Sequence, residues 1–188
     1  MTLFTGKGDD GTTKTFGCDQ RISKSSAVAE ALGSLDEINS FLGLVKVKSD
    51  VLSGLAGDFE ILGKSFAEIV NDIQKNLFII QAEVAGSKMT ISEEKLKECE
   101  NYVNEAEKIL PPIKTFFVSG GTELASLFDI SRTLARKAER RAVSAFDGDL
   151  EFGKISLAYL NRLSSLLYAM ARLSNHIFGV VEDAPSYK

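Results

Sequence analysis

The segment Ser131-Arg-Thr-Leu-Ala-Arg-Lys-Ala-Glu-Arg-Arg141 has two different faces when it is drawn as a helix. Arg132, Arg136 and Arg140 follow one another at intervals of four residues, so their guanidinium groups share one face. At about 1.5 Å of rise per residue, this arginine stripe is roughly 12 Å long, comparable to an extended triphosphate. The opposite face is small and apolar, and consists of Leu134, Ala135, Ala138 and Ala142. The segment therefore predicts a helix that packs closely on one side and presents fixed cations to a polyanion on the other.

The rest of the chain predicts four more helices around this one. Ser23, Ser25 or Ser26 is a suitable cap for the first helix, because apolar residues follow with helical spacing. Thr122 can cap the helix that carries the arginine stripe. The five predicted helices span about these residues: the serine cap to 49, 59–85, 92–110, 123–146 and 152–178. A break is expected at 50–57. The connections are short, so the helices should be antiparallel neighbours. We expect an all-α, five-helix, up-down bundle of the ferritin-like kind, without a convincing sheet.

The length of the chain and the absence of a linker favour a single domain. The protein has 188 residues, enough to bury a real core, and no linker divides it. Residues 1–22 are rich in Gly, Thr and Asp and are expected to form a loop. Residues 23–180 form the predicted bundle, and residues 181–188 are expected to be a loose tail.

Charge and composition exclude several classes of protein. The net charge is −4, which disfavours a nucleic-acid binder and makes the arginine stripe a local site for a small anion. Cys18 and Cys99 are far apart and form neither a disulfide framework nor a zinc pattern. No signal peptide and no apolar run of about 20 residues is visible, so we expect a cytoplasmic protein without a membrane partner.

The segment Thr5-Gly-Lys-Gly-Asp-Asp-Gly-Thr-Thr13 is the second candidate site. Glycines let backbone N–H groups converge on an anion, while Lys7 and the threonine hydroxyls add charge and donors. The segment is not a Walker A loop, because the Gly-Lys-Ser/Thr ending is absent. Gly, Asp and Thr are also ordinary turn residues, so a flexible N-terminal loop is an equal alternative.

Other polar residues within apolar helices have a structural and a functional interpretation. Asn161, in Tyr159-Leu-Asn-Arg-Leu-Ser164, is expected to be buried, where it would either satisfy a core hydrogen bond or face a ligand. In Leu35-Asp-Glu-Ile-Asn39 the acids form either a solvated face or partners for the arginines. In the structural interpretation, the arginines of the stripe only form salt bridges, with Glu139, Asp36 or Glu37.

The single histidine, His176, limits the available chemistry. It lies near the end of the last predicted helix and is expected to be structural or on the surface. A di-iron bundle needs paired Glu-x-x-His motifs, which this chain lacks. Acid–base catalysis by histidine and a Ser/His/Asp or Cys/His arrangement are disfavoured for the same reason.

Six segments in order resemble a known family. They are Thr5–Thr13, Arg21–Lys24, Leu32–Gly43, Val118–Thr122, Ser131–Arg141 and Tyr159–Ser164. Each is weak alone, but together they resemble the PduO-type ATP:cob(I)alamin adenosyltransferases over nearly the whole chain. The resemblance implies a homotrimeric five-helix bundle with active sites between subunits. It implies transfer of the 5′-deoxyadenosyl group of ATP to the cobalt of cob(I)alamin, with Mg²⁺ accompanying ATP.

The resemblance also implies roles for individual residues. The glycine loop would wrap the triphosphate with Thr5, Gly6, Lys7, Gly8, Gly11, Thr12 and Thr13. Further ATP-site residues would be Lys24, Arg132, Arg136, Glu139, Arg140 and Asn161. Asp36 would pair with Arg132 across the subunit interface, and Phe117 would lie against the corrinoid. Arg132, Arg136, Asp36 and Phe117 thus form the implied catalytic set, and no residue is assigned as a metal ligand.

The chain also departs from the family pattern. Asp10 stands where many relatives have Lys, and Ser165 replaces an acid. The other departures are Lys137 for Arg, Ser119 for Pro and Asp129 for His, and Lys137 is expected to point away from the site. Asp10 and Ser165 bear on ATP affinity and corrinoid handling, but the ATP-binding set stays complete.

Two alternatives to an enzyme stay open at this stage. One is an ATP- or corrinoid-binding sensor or chaperone on the same bundle, which would bind ATP without forming product. The other is a structural bundle whose arginines serve only subunit salt bridges, which ATP would never protect from heat. For the enzyme, the expected partners are its two substrates, a second and third copy of the chain, a flavin-type reductase and a B12-dependent enzyme.

Overall fold

The predicted five-helix bundle is confirmed. The computed structural model describes residues 3–15, 21–56, 59–146 and 153–187. Its elements are β1 (Thr12–Lys14), β2 (Arg21–Ser23), α1 (Ala27–Ala56), α2 (Phe66–Val84), α3 (Glu93–Ile109), α4 (Glu123–Ala145) and α5 (Lys154–Ile177). Within these ranges, no helix combines the length and apolar character that a membrane span requires.

The helix α4, which carries the arginine stripe, is packed between α1 and α5. Its alanine face is entirely in the core, since Ala135, Ala138 and Ala142 have no exposed surface. Small side chains let the neighbouring helices approach closely, and this burial fixes the rotation of α4 about its axis. The helix α2 lies against the outer side of α1, and α3 lies against α5.

Ion pairs between α1 and α4 show that the two helices are antiparallel. Glu30 near the start of α1 contacts Arg141 near the end of α4, at 3.7 Å. Lys48, late in α1, contacts Glu123 at the start of α4, at 2.7 Å. The N-terminal segment that precedes α1 therefore lies at the same end of the bundle as the Arg140 end of the stripe.

The start of α4 is fixed by a cap and by a contact to α5. Thr122 is the predicted N-cap, and its hydroxyl accepts a hydrogen bond from the backbone N–H of Ala125 at 3.0 Å. The buried side chain of Asn175 accepts from the N–H of Thr122 at 2.9 Å and donates to the carbonyl of Gly120 at 2.9 Å. The two glycines adopt positive φ, +130° at Gly120 and +101° at Gly121. The connection that enters α4 is thereby tied to the last helix.

Two boundaries, the end of α1 and the start of α2, differ from the sequence-based expectation. The break predicted at 50–57 is wrong over 50–56, because α1 continues through Ala56; a glycine weakens a helix without preventing it. The start predicted near Phe59 is also wrong. Leu62 and Gly63 have φ of 53° and 73° in a turn, and α2 begins only after Ser65. Ser65 and Glu68 form a capping box, a signal that the sequence contained.

The N-terminal segment is not entirely loop. Strands β1 and β2 form a small antiparallel hairpin, with Thr12 opposite Ser23 and Lys14 opposite Arg21. The expectation of no sheet is therefore corrected at this one place. The residues between the two strands, 16–20, lie outside the described ranges and include Cys18.

We predict that Gly121→Ala destabilises the bundle by about 2 kcal/mol or more, because alanine is strained at positive φ. The new Cβ would also lie 2.4 Å from Asn175 Oδ1. The measurement is the free energy of unfolding in urea. Gly43→Ala is the matched control, because its Cβ would meet Gln74 Nε2 at an ordinary 3.7 Å within α1. Equal stabilities for the two variants would contradict the role of Gly121.

Candidate active site

A cavity of about 620 Å³ opens between α4, α5 and the connection of residues 110–121. Arg132 and Arg136 lie on its α4 wall, Tyr168 and Arg172 lie on its α5 wall, and Phe117 comes from the connection. The arginine stripe therefore begins inside the cavity and continues along α4 toward Arg140. This geometry offers an apolar, aromatic surface next to a row of cations.

Arg132 is held from two sides. Its Nε donates to Asp129 Oδ1 at 3.1 Å, and its guanidinium carbon lies 5.8 Å from the centre of the Tyr168 ring. Asp129 is only 14% exposed, so this pair is partly shielded from water. The terminal nitrogens of Arg132 have no protein partner among the described residues. They are therefore free to bind an anion or an acid from outside the chain.

The remaining arginines of the stripe are exposed, and within the described part of the chain neither Arg136 nor Arg140 forms an ion pair. The contacts to α1 are made instead by their neighbours: Lys137 donates to Glu37 at 2.5 Å, and Arg141 lies near Glu30. Lys137 thus points away from the stripe, as expected. Among the cations of this segment, Lys137 and Arg141 are therefore the ones that pair with acids of α1 in the described part of the chain.

Asp36 lies away from Arg132 within the chain. It is exposed on α1 and borders a largely apolar groove with Phe78, Gln81 and Met89. Phe78 and Met89 are 64% and 55% exposed. The pairing of Asp36 with Arg132 across a subunit interface stays a prediction.

Glu139 and Asn161 are brought together between α4 and α5. The Asn161 amide donates to Glu139 Oε1 at 2.9 Å, and its oxygen accepts from Arg162 at 2.8 Å. Arg162 also contacts Glu100 of α3 at 3.0 Å. The expectation that Asn161 is buried is wrong, because its position on α5 faces solvent beside Glu139. His176 is exposed, as expected.

The glycine loop is organised by Arg21, which sequence analysis did not assign to the site. Its Nε donates to the Thr12 hydroxyl at 2.5 Å, and one terminal nitrogen donates to the carbonyls of Thr12, at 2.9 Å, and of Lys7. Gly6 and Gly11 have φ of 67° and 80°, which non-glycine residues rarely adopt. Thr5, Gly8 and Thr13 complete the loop.

Lys24 also supports the loop. Its ammonium group donates to the Gly8 carbonyl at 2.8 Å, and its backbone N–H donates to Gly11 at 3.0 Å. A Cβ at Gly8 would lie 3.1 Å from that ammonium group, so glycine leaves the room that Lys24 needs. The side chain of Lys7 makes no hydrogen bond or ion pair with a described residue and is exposed.

Asp10 has a structural place in the loop. Its carboxylate accepts from the Thr12 N–H at 2.9 Å and from the Thr12 hydroxyl at 2.7 Å. These hydrogen bonds, together with the nearby Arg21 guanidinium, hold the pKa of the Asp10 carboxyl below its usual value. The acid that departs from the family pattern therefore stabilises the turn.

The C-terminal tail contacts the cavity wall, so the expectation of a loose tail does not hold at residues 182 and 183. The N–H of Val118 donates to the carbonyl of Asp183 at 2.8 Å. Arg172 Nε donates to Glu182 Oε2 at 2.8 Å. Neither contact had a local sequence signal, since the partners come from separate segments.

Comparison with known proteins shows the family of the chain. A family model described as cobalamin adenosyltransferase matches residues 3–174. The chain is 36% identical over 184 residues to the corrinoid adenosyltransferase of Bacillus subtilis strain 168, covering 96% of this chain and 90% of that protein. It is 33% identical over 183 residues to the corrinoid adenosyltransferase PduO of Citrobacter freundii, covering 94% of this chain. It spans about half the length of that relative, at 50%.

A solved structure has the same fold. It is a variant PduO-type ATP:corrinoid adenosyltransferase from Lactobacillus reuteri complexed with cobalamin and ATP. The TM-score is 0.85 at 25% identity, covering 99% of this chain and 97% of that chain. The family model covers most of the chain, and the chain therefore belongs to the cobalamin adenosyltransferase family.

We predict that Arg21→Gln loosens the glycine loop without affecting the bundle. Removing hydrogen bonds from a charged donor should speed amide hydrogen exchange in residues 5–14 by about tenfold. Exchange in α4 and α5 should be unchanged, as read by mass spectrometry of peptides. Lys7→Gln is the matched control and should exchange like the unchanged protein. Equal protection of the loop in both variants would contradict the assignment of Arg21.

Proposed function

We propose that the protein transfers the 5′-deoxyadenosyl group of ATP to the cobalt of cob(I)alamin, giving adenosylcobalamin and triphosphate. The observation that carries this proposal is the arginine stripe that begins inside an aromatic-walled cavity and leaves Arg136 and Arg140 without an ion pair in the described chain. Membership of the cobalamin adenosyltransferase family supports the same reaction.

The proposed reaction requires little acid–base catalysis by the protein. Cobalt(I) supplies an electron pair that forms the cobalt–carbon bond at C5′ of the ribose. The bond between C5′ and oxygen breaks, and its electron pair leaves with the triphosphate. No side-chain nucleophile is needed, because the corrinoid supplies it. The protein must align two large substrates and stabilise negative charge on the departing triphosphate.

The ATP subsite would combine two parts of the chain. Arg136 and Arg140 would bind the phosphates from α4, while Lys7, the backbone N–H groups of the glycine loop and the threonine hydroxyls add donors. The position of α1 supports this, because the loop and the Arg140 end of the stripe share one end of the bundle.

Magnesium would enter with ATP. Among the described residues, no group of three or more His, Cys, Asp and Glu side chains could hold a metal ion. We propose that Mg²⁺ is held mainly by phosphate oxygens and water, the usual mode for nucleotide substrates. When bound, Mg²⁺ neutralises phosphate charge, and the arginines supply the remaining positive charge.

Phe117 would act on the corrinoid by its shape. It is half-buried on the cavity wall, next to the α4 cations. An aromatic ring packed against one face of the corrin would exclude the lower axial ligand from cobalt, which makes reduction to cobalt(I) easier. Tyr168 and Ser165 border the same cavity and would contact the rest of the corrinoid.

We also propose a homotrimer with active sites between subunits, in the cytoplasm. The groove beside Asp36 supports an interface there, because its large side chains, Phe78 and Met89, are exposed in the single chain. Asp36 of one subunit would then meet the free terminal nitrogens of Arg132 in another. A flavin-type reductase would supply cobalt(I), and a B12-dependent enzyme would use the product.

The test is anaerobic turnover with chemically reduced cob(I)alamin and MgATP, followed by the visible spectrum of a light-sensitive cobalt–carbon product. Arg136→Ala should lower the rate by about 100-fold or more, because it removes a cation that stabilises the leaving group. Lys137→Ala is the matched control, since that cation points to Glu37, and its rate should stay within about twofold.

Three outcomes would contradict the proposal or the role that it gives to the arginine stripe. A protein that ATP protects from heat but that forms no product would be a binding protein or sensor. A protein that neither forms product nor gains heat stability from ATP would be a structural bundle. Equal losses in Arg136→Ala and Lys137→Ala would contradict the role given to the stripe.

A further inference from the structure

Arg172 is a buried cation that the proposed transfer chemistry does not use. It lies on α5 and is only 5% exposed. Among the described residues, it and Glu83 are the two buried side chains that normally carry a full charge at neutral pH. A buried charge is costly unless it is paired and hydrogen-bonded, so its partners indicate what it does.

The partners of Arg172 come from two segments outside α5. From the C-terminal tail, Glu182 accepts from Nε at 2.8 Å. From the connection between α3 and α4, the Pro111 carbonyl accepts from a terminal nitrogen at 3.2 Å. The same connection places the Phe117 ring 5.0 Å from the guanidinium carbon. One guanidinium therefore joins a helix, a tail and a connection at the wall of the cavity.

Asn175 holds the end of the connection at Gly120 and Thr122, but residues 111–118, which carry Phe117, have few contacts of their own. Residues 111–118 contain neither helix nor strand, and the side chains of Phe116 and Val118 are 79% and 59% exposed. Beyond the contacts of Arg172, the Val118 N–H donates to the Asp183 carbonyl, which again comes from the tail. The direction in which Phe117 faces the cavity thus depends on Arg172 and on the tail that Arg172 holds.

We propose that Arg172 is a positioning residue that sets the Phe117 ring against the corrinoid, with Glu182 fixing the plane of the guanidinium group. The proposal rests on the proposed function and adds to it the residues that place the ring. A planar guanidinium suits this role, because it donates in two directions while one face lies on an aromatic ring. A lysine ammonium has no such plane.

Three variants separate this role from a general effect on the tail. Glu182→Gln removes the charge and keeps the shape. Arg172→Lys keeps the charge and removes the planar fork. Asp183→Asn is the matched control, because Asp183 contributes its backbone carbonyl rather than its side chain. Phe117→Ala gives the reference for a protein without the ring.

The first measurement is the paramagnetic resonance spectrum of cob(II)alamin bound in the presence of MgATP. Splitting by an axial nitrogen reports whether the lower ligand still binds cobalt. We expect the unchanged protein and Asp183→Asn to lose that splitting. Glu182→Gln and Arg172→Lys should retain it in at least half of the bound corrinoid, as Phe117→Ala does.

The second measurement is steady-state transfer. In Glu182→Gln the KM for the corrinoid should rise by about tenfold, the effect of losing one charged hydrogen bond, while the KM for ATP stays within about twofold. A merely structural role would change both KM values or neither. Circular dichroism at the assay temperature checks that the helices of each variant are intact.

The outcomes distinguish this proposal from the function on which it rests. The resonance spectrum needs no turnover, so a protein that binds corrinoid without transferring still tests Arg172. Spectra and KM values of Glu182→Gln and Arg172→Lys equal to those of Asp183→Asn would overturn the proposal, as would loss of helix content in both variants. A protein that binds no corrinoid would overturn both proposals.

Discussion

The structure depends on the close packing of the alanine face of α4 between α1 and α5. Ala135, Ala138 and Ala142 have no exposed surface, so α4 cannot rotate without opening the core. The helical repeat then fixes the arginine stripe on the opposite side. Cations on a rigid helix lose little freedom when an anion binds, which is the condition for preorganised electrostatic stabilisation.

The charges around the stripe are distributed in a way that suits this use. Lys137 and Arg141 are paired with acids of α1 and help to hold the two helices together. Arg136 and Arg140, within the described residues, have no such partner, and Arg132 uses only its Nε. The cations that face away from α1 are therefore those available to a polyanion, while their neighbours serve the fold.

Local sequence patterns were sufficient to predict much of the fold. The contacts that were missed join segments that are far apart in the sequence. The periodicity of α4 and the Thr122 cap involve residues within one or two turns, and both predictions are confirmed. Arg21 reaches back to Thr12 and Lys7, and Arg172 reaches Pro111, 61 residues away. Such contacts depend on how the chain folds back, which no local spacing encodes. The burial of Asn161 was mispredicted for the related reason that an apolar helix still has one solvent-facing side.

The site residues themselves remain a prediction from the resemblance, supported by the cavity and the stripe. The central claim is that C5′ of ATP becomes bonded to cobalt while the triphosphate leaves intact. The most direct test is anaerobic reaction of cob(I)alamin with ATP labelled with carbon-13 at C5′, followed by carbon and phosphorus magnetic resonance. We expect the label in a cobalt-bound methylene group and one triphosphate per product. A label that stays in nucleotide, or release of ADP and phosphate instead of triphosphate, would contradict the account.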